Sequence, residues 1–595
     1  ELHRTMSMLW ATALLAPVAT VVALGLVGLA RDEVTARWRR RLVLLAPGTV
    51  APAIALAVAG PAAGVVEIPW LLLGTTLEVD TVGRPLLLVA AILYAVAAVT
   101  VASVGTVRAP ALTAFLLVSF VGNAGLLVAA DAVTFYLAFA VMSFAGFGLV
   151  IHERTDFARR AGRIYLVLAV VSETFILGGL LLVAAAGGRM LADSPAAVAS
   201  SEWTGLIIML LLIGFGVKAG TVPLHVWLPL AHPAAPPAAS AVLSGCMIKA
   251  GIVGWIRFLP LGEEAQPGWG VLLVVLALLG AFLAVPAGVL QGDAKVALAY
   301  SSISQMGFLA ALVGVALAVP ELADAAIVAA VLYAVHHGLA KGALFLGIPL
   351  WQRHGSGVLR WWVVAALLGA ALAVAGAPFS SGSVAKYAAK EAVGEVSLLG
   401  VDLVSLLPLV ATGSTILLAR FAFLLLSGPR QQPHRVDAPL VSWSVLVVAG
   451  ISLTWILAGE WIPLTTVPGL GPVTLWDATW PILLGVTLSG VAWWLSHRDL
   501  LPGWAAHPDG RFLPPGDLVV PEEALILRAG RAIERRVARG SEARSALVDG
   551  LRAGLLRFGS SGGLVRRAEQ QLKVWEVSGV VTLALLLVIV GAVAR

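Results

Sequence analysis

Apolar runs of about 20 residues, parted by short polar connections, recur along nearly the whole chain. Each is about as long as a helix must be to cross the hydrocarbon of a bilayer, whereas a buried helix of a soluble core needs only half as much. The pattern predicts sixteen membrane-spanning helices, near residues 8–30, 42–59, 85–104, 111–130, 132–151, 164–186, 205–227, 238–258, 269–290, 296–319, 325–350, 361–391, 399–426, 441–458, 481–496 and 577–594. Such a chain is an all-α polytopic membrane protein.

The polar connections alternate in sign. Arg31, Arg37, Arg39, Arg40 and Arg41 follow the first predicted helix, Arg154, Arg159, Arg160 and Arg163 the fifth, and Arg353, Arg360, Arg430 and Arg435 the eleventh and thirteenth. The opposite set carries Glu78, Asp80, Glu263, Glu264, Glu321, Asp324, Glu460 and Asp477. Basic loops stay on the cytoplasmic side, so the N-terminus is expected outside a bacterial-type inner (plasma) membrane, and with sixteen crossings the C-terminus too. The connection 497–573 is far longer than the others. Pro521, Glu522 and Glu523 make a plausible first helical turn there, and Ile526, Ile533, Val537, Leu547, Leu551, Leu555 and Phe558 recur at helical spacing against an arginine-rich face. That predicts a cytoplasmic amphipathic helix lying in the membrane plane, against anionic lipid or a neighbouring subunit, with Gly540, Gly550 and Gly554 as weak points. A solvated loop is the plainer alternative. The chain thus divides into N-terminal helices (1–84), a core (85–426), C-terminal core helices (427–496), the lateral segment (497–574) and a final anchor (575–595).

Composition narrows the chemistry. Of 595 residues 59% are hydrophobic and only 12% charged, against about 25% in soluble domains, which excludes an ordinary water-soluble enzyme. The single Cys246 excludes a disulfide framework, a thiolate zinc site or an iron–sulfur cluster held by this chain alone. No cofactor is expected in the chain, and any redox chemistry belongs to partner subunits. The net charge of +6 reads as membrane orientation, not as nucleic-acid binding.

The lysines carry the strongest signal. Of 39 basic residues seven are lysine, and four of them (Lys218, Lys249, Lys341 and Lys386) fall inside apolar helices, while arginine serves the loops. Arginine stays protonated; a desolvated lysine can release its proton. A charge at mid-bilayer costs at least about 2.5–3.5 kcal/mol, so four in one bundle read as stations on a proton path. Snorkelling to an interface is the structural alternative. Lys218 stands in Gly214-Phe-Gly-Val-Lys-Ala-Gly-Thr-Val-Pro223, where Pro223 deprives the carbonyl of Ala219 of its partner and three glycines ease the break. Irregular backbone at that depth must face protein or water, which predicts a hydrated cavity beside Lys218. Gly376, Pro378 and Gly382 interrupt a second helix ahead of Lys386, and two broken helices in two halves point to inverted repeats. His337 and Lys341, four apart, share a helix face suited to a proton relay, with His336 pointing elsewhere. His225 and His232 follow Lys218 and are expected to feed its cavity. Lys390 and Arg420 are secondary candidates. No metal site is expected, because the histidines lack carboxylate or thiolate companions at ligand spacing.

The stretch Val217-Lys-Ala-Gly-Thr-Val-Pro-Leu-His-Val-Trp-Leu-Pro-Leu-Ala-His-Pro-Ala-Ala-Pro-Pro237, continuing through Ser244-Gly-Cys-Met-Ile-Lys249, resembles the signature of the antiporter-like subunits of complex I. So do Asp293-Ala-Lys-Val-Ala-Leu-Ala-Tyr-Ser-Ser-Ile-Ser-Gln-Met-Gly307, His337-Gly-Leu-Ala-Lys341 and the segment ending at Lys386. The resemblance covers Pro85 to about Leu426. That superfamily includes membrane subunits of formate hydrogenlyase-type hydrogenases, to which the wording and tail look closest, Mrp-type cation/proton antiporters, and membrane partners of inorganic-carbon uptake complexes. It implies that Lys218 is the central lysine of a first half-channel, that Lys249 links it inward, that Lys341 continues the polar axis and that Lys386 is the exit lysine of a second half-channel. It further implies other membrane subunits and a soluble catalytic subunit as partners, with protons, and in some branches Na+ or K+, as the cargo.

One departure stands out. The family usually carries a glutamate on the fifth helix, paired with the central lysine, where this chain reads Phe139-Ala140-Val141-Met142-Ser143. Glu173, on the next helix, is expected to replace it; otherwise the first half-channel is degenerate and only the second conducts. The functions implied, in order, are a proton-translocating subunit of a complex I-related machine, a sodium or potassium/proton exchanger subunit, a proton-conducting partner in carbon uptake, and a scaffold.

Overall fold

A computed structural model describes residues 2–519 apart from 31, 395, 399, 433, 434, 465 and 466, together with 528 and 531. The first half runs through α1 (Leu2–Gly28), α2 (Glu33–Ala59), α3 (Gly83–Val104), α4 (Ala109–Val128), α5 (Ala132–Val150) and α6 (Asp156–Ala185). The short α7 (Ser194–Ala199) leads to α8 (Thr204–Ala219), α9 (Leu228–Ala234), α10 (Pro237–Val242) and α11 (Lys249–Phe258), the last two joined by a π-helical turn, Leu243–Met247. The second half comprises α12 (Pro267–Val289), α13 (Ala294–Ala318), α14 (Ala323–His354), α15 (Leu359–Ala375), α16 (Ser381–Val393), α17 (Leu403–Leu426), α18 (Ala438–Leu457) and α19 (Pro472–His497).

Among the described residues, thirteen helical segments are long and apolar enough to cross a membrane. The apolar α8 and α15 are shorter because each stops at a break. Thirteen of the first fifteen predicted spans fall on these segments, the seventh falls on the shorter α8, and the twelfth divides into α15 and α16. The sixteenth span (577–594) and the amphipathic stretch from Pro521 to Phe558 lie outside the described residues, save 528 and 531.

Helix starts follow local chemistry. Side chains of Asp32, Asp131, Asp293 and Asp437 accept from backbone N–H groups in the first turns of α2, α5, α13 and α18, and Thr155 does so for α6. These satisfy donors that a helix leaves orphaned, and the four carboxylates also oppose the positive end of its dipole. Small residues then set the spacing. A Cβ on Gly307 would lie 2.4 Å from the Ala277 carbonyl oxygen, and one on Gly270 2.5 Å from that of Gly314, so α12 and α13 pack backbone to backbone. The helices α10, α11, α13 and α14 are buried on almost every side, while α1, α2 and α19 expose broad apolar faces, as lipid-facing helices do. The most buried helices are also the ones carrying polar side chains, and that placement builds the site.

Asp80, on the acidic face, grips Arg257 at the end of α11 through both carboxylate oxygens, and its Oδ1 also accepts from Gly83 N at 2.7 Å. Burial by itself would raise the Asp80 carboxyl, but the Arg257 guanidinium holds it below its ordinary value. A depressed carboxyl stabilises the folded state at neutral pH, and that contribution is lost as pH falls through the depressed native value, below about 4. Asp80→Asn strands the guanidinium and is expected to cost on the order of 1–3 kcal/mol, read as a lower melting temperature in detergent whose gap from wild type closes on acidification.

Candidate functional site

Four helix-borne lysines line the interior, and three of them, Lys218, Lys249 and Lys341, are at most 3% exposed. Lys218 occupies the last turn of α8, which ends at Ala219 with Gly220 in the left-handed region (φ +70). The break falls where Pro223 was expected to cause it, and the Thr221 hydroxyl returns to the Gly216 carbonyl at 3.0 Å to satisfy the frayed end. A cation at a helix C-terminus meets the negative end of the dipole.

The immediate surroundings of Lys218 are rings. Its Nζ donates to the Tyr165 hydroxyl at 3.2 Å, and Tyr165 donates to the Ser143 carbonyl at 2.8 Å. Phe139, Tyr165 and Trp227 stand 5.8, 5.3 and 5.7 Å from the ammonium, within range for cation–π attraction. Phe139 on α5, Tyr165 on α6 and Trp227 after the break thus form an aromatic cage around the lysine. Glu173 is buried on α6, eight residues and so about two turns beyond Tyr165. Neither carboxylate oxygen meets a donor in good hydrogen-bonding geometry among the described residues; the Ser143 hydroxyl and Lys218 are its polar neighbours. The Ser172 hydroxyl beside it bonds the Gly214 carbonyl at 2.7 Å and pins α6 to α8.

Lys249 is oriented by the π-helical turn. Ile248 N bonds back five residues to the Leu243 carbonyl, which frees the Ser244 carbonyl to accept the Lys249 ammonium. The Ser244 hydroxyl lies 2.8 Å from that of Ser302 on α13; since Ser302 donates to the Leu298 carbonyl, Ser244 donates to Ser302. Lys341 of α14 donates to the same Leu298 carbonyl at 3.0 Å. The carbonyl orients Lys341 and cannot itself pass a proton. A cavity of about 10 Å³ lined by Asn123, Cys246 and Lys249 is about the size of one water.

His336 bonds across to the second broken helix. Its Nδ1 is 2.7 Å from the Ser381 hydroxyl at the start of α16. Ser381 gives its hydrogen to the Gly450 carbonyl, so His336 Nδ1 is the donor and its Nε2, buried and without a partner among the described residues, is left as a proton acceptor. His337 is fully buried and neither ring nitrogen has a partner among the described residues. His336 is turned toward α16 and not toward Lys341. His232 stacks on Phe345 of α14 at 4.6 Å, so it faces the Lys249–Lys341 region and not Lys218 as expected.

Lys386 sits one turn into α16 and reaches back to the Ala375 carbonyl at 2.6 Å, the last turn of α15. Gly376 between them has φ +90, and a Cβ there would lie 2.6 Å from Lys386 Cδ, so only glycine leaves room for the lysine's path. Lys386 borders a cavity of about 160 Å³, large enough for several waters, that is also lined by Tyr387, Lys390, Glu391 and Asp477. Lys390 pairs with Asp477 at 2.9 Å at its rim. Arg420 belongs elsewhere: it donates to the carbonyls of Gln291 and Pro508, clamping the segment after α19. His225 binds both oxygens of Asp517 in that segment, at 3.1 and 3.3 Å; burial would raise the Asp517 carboxyl, but His225 together with hydrogen bonds from Leu518 N and Tyr300 outweighs it and holds the carboxyl below its usual value. Among the described residues no group of three or more His, Cys, Asp or Glu is arranged to hold a metal ion.

Tyr165, Ser381, Ser302 and Asp517 have no counterpart among the residues that the sequence pattern singles out. Tyr165 alone leaves a trace there, two helical turns from Glu173 on one face.

Residues 129–388 match the family described as NADH:quinone oxidoreductase/Mrp antiporter, transmembrane. Hydrogenase-4 component B of Escherichia coli (strain K12) is 31% identical over 299 residues, which is 47% of this chain and 44% of that protein. An Na(+)/H(+) antiporter subunit of Alkalihalophilus pseudofirmus is 30% identical over 282 residues, 45% of this chain and 56% of that one. The chain thus spans about half the length of these relatives. A solved Mrp complex from Dietzia sp. DQ12-45-1b superimposes with a TM-score of 0.74 at 22% identity, covering 94% of this chain and 63% of its counterpart, a likeness of fold.

Proposed function

We propose, from the match of residues 129–388 to the NADH:quinone oxidoreductase/Mrp antiporter transmembrane family, that the chain is a proton-translocating antiporter-like membrane subunit of a complex I-related energy-converting complex. The observation that carries this is the row Lys218, Lys249, Lys341 and Lys386: every member is a lysine, and each ammonium is held by one hydroxyl or one carbonyl in place of a tight ion pair. An amine held that way can give up its proton without leaving a carboxylate stranded. Lys218 is the central lysine of a first half-channel and Lys386 the exit lysine of a second, at two broken helices related as inverted repeats. Glu173 serves as the charge partner of Lys218 in place of the family's fifth-helix glutamate at Ala140, coupling across the aromatic cage when Lys218 lets go of Tyr165.

The chain works with other membrane subunits and with a soluble subunit that supplies the driving reaction, in a bacterial inner membrane with the N-terminus outside. The test is proton flux in everted membrane vesicles under an imposed potential. Single Lys218→Ala, Lys249→Ala, Lys341→Ala and Lys386→Ala variants are each expected to lose flux while still assembling, and wild-type flux in all four would overturn the proposal.

His336 and Ser381 connect the Lys341 helix to the Lys386 helix. Ser381→Ala removes the acceptor of His336 Nδ1–H and is expected to lower flux by about tenfold, within the range of one proton-transfer group, without unfolding the bundle. His337→Asn is expected to cost less, because nothing described bonds to it.

Cation/proton exchange is a second reading, favoured by the similarity to an Na(+)/H(+) antiporter subunit and by the Mrp-like fold. It predicts that flux depends on external Na+ or K+. Glu173 and Asp131 are the buried carboxylates among the described residues, and Asp131 is spent capping α5, which leaves few ligands for a second cation.

A further inference from the structure

The chain returns to its own core after α19. Residues 508–519 form a strap across the α12–α13 turn, fastened by Arg420 to the Pro508 carbonyl (2.7 Å), by Gly510 N to the Leu290 carbonyl (3.0 Å) and by Gln291 to the Leu513 carbonyl (3.0 Å). Three anchors already hold it, and Val519 is buried besides. Nothing about anchoring calls for a carboxylate, yet the strap brings one into contact with a histidine 292 positions earlier, in the break that follows Lys218.

The Asp517 side chain is 18% exposed and so reaches solvent, whereas the His225 side chain is buried. His225 uses Nε2 toward Asp517, while its Nδ1 is buried without a partner among the described residues. A ring with one nitrogen on a solvent-touching carboxylate and the other unpartnered inside is arranged as a two-ended shuttle.

We propose that Asp517, delivered by the strap, is the proton-collecting group at the mouth of the first half-channel and passes protons to His225 for Lys218. In the resting pair Nε2–H donates to the Asp517 carboxylate and Nδ1 is unprotonated; rotation of the ring presents Nδ1 to Asp517 and turns Nε2–H inward. Asp517 takes a proton from solvent, its O–H bond breaks as the Nδ1–H bond forms, and the imidazolium releases its Nε2 proton inward, which leaves a neutral ring ready to rotate again. Proton number and charge balance over the cycle, and no other reactant is needed. This rests on the proton-translocating role proposed for Lys218. It also gives the segment after α19 a part in conduction beyond anchoring.

The experiment is proton flux in everted vesicles holding the complete complex, with Lys218→Ala as reference. Asp517→Asn is expected to lower flux by about tenfold or more, the least expected of a lost proton-transfer group. Asp517→Glu, which keeps the carboxylate, is expected to restore flux to within about twofold, the residue of a displaced but functional acid. Full flux in Asp517→Asn, in membranes where Lys218→Ala has none, would overturn the proposal while leaving the role of Lys218 intact. Equal loss in Asn and Glu variants, together with a lowered melting temperature, would also overturn it by making the strap a structural tie alone. Normal flux in Lys218→Ala would remove the proposal together with the reading beneath it.

Discussion

Lys218→Arg is expected to stop translocation as fully as Lys218→Ala does, lowering proton flux by two orders of magnitude or about that, the scale of a lost acid–base group. Arginine keeps the positive charge and could still face the rings of Phe139, Tyr165 and Trp227. What it lacks is a proton it can release. If the role of Lys218 were to stack in the cage and hold α8 against α6, arginine would preserve much of the function and alanine would not. Glu173→Gln separates the two versions of the first half-channel. Loss of flux there marks Glu173 as the charge partner, whereas normal flux with Lys218→Ala inactive would remove it from the path. Tyr165→Phe keeps the ring and loses the hydroxyl at 3.2 Å, and is expected to fall between wild type and Lys218→Ala.

The second large effect is expected at Gly376→Ala. The residue has φ +90, where a side chain costs about 1–2 kcal/mol, and its Cβ would meet Lys386 Cδ at 2.6 Å and Nζ at 3.2 Å. The lysine is the yielding partner, since it is flexible and faces a cavity. It must swing away from the Ala375 carbonyl, so the break stays while the amine leaves its place. Flux is expected to drop by about tenfold or more with only a modest loss of melting temperature, a split that misfolding would not produce. Gly105 also has positive φ (+60) but nothing within 4 Å of a Cβ, so Gly105→Ala is the control for backbone strain without side-chain displacement.

Much of this architecture is legible in one dimension because the bilayer imposes a length on every crossing, and hydropathy reports length well. The breaks at Gly220 and Gly376 were legible for a related reason: glycine and proline together inside an apolar span weaken the helical ladder at a definite point. The lysines stood out because the chain chose arginine elsewhere.

What connects them was not legible. Whether His336 or His337 meets α16 depends on the rotation of α14, and adjacent residues differ by 100° around a helix, which hydropathy cannot resolve when both faces are buried. The cage around Lys218 joins Phe139, Tyr165 and Trp227 from three separate elements, and aromatic residues in apolar helices read as ordinary packing. Arg420 looked like an intramembrane charge, yet it clamps the strap, and the strap's contacts span more than 200 residues. His232 was placed by chain order near Lys218 but is turned toward Phe345 by α9.

The central claim is that buried amines change protonation as the subunit works. Seven lysines in 595 residues make selective labelling practical, because 15Nζ resonances can be assigned by single replacement. Solid-state NMR of the complex in lipid, recorded with and without an imposed proton gradient, is predicted to show the Lys218 and Lys386 resonances moving between ammonium and free amine while Lys295 and Lys573 stay fixed. Ammonium signals for Lys218 and Lys386 that do not change under any gradient would contradict it.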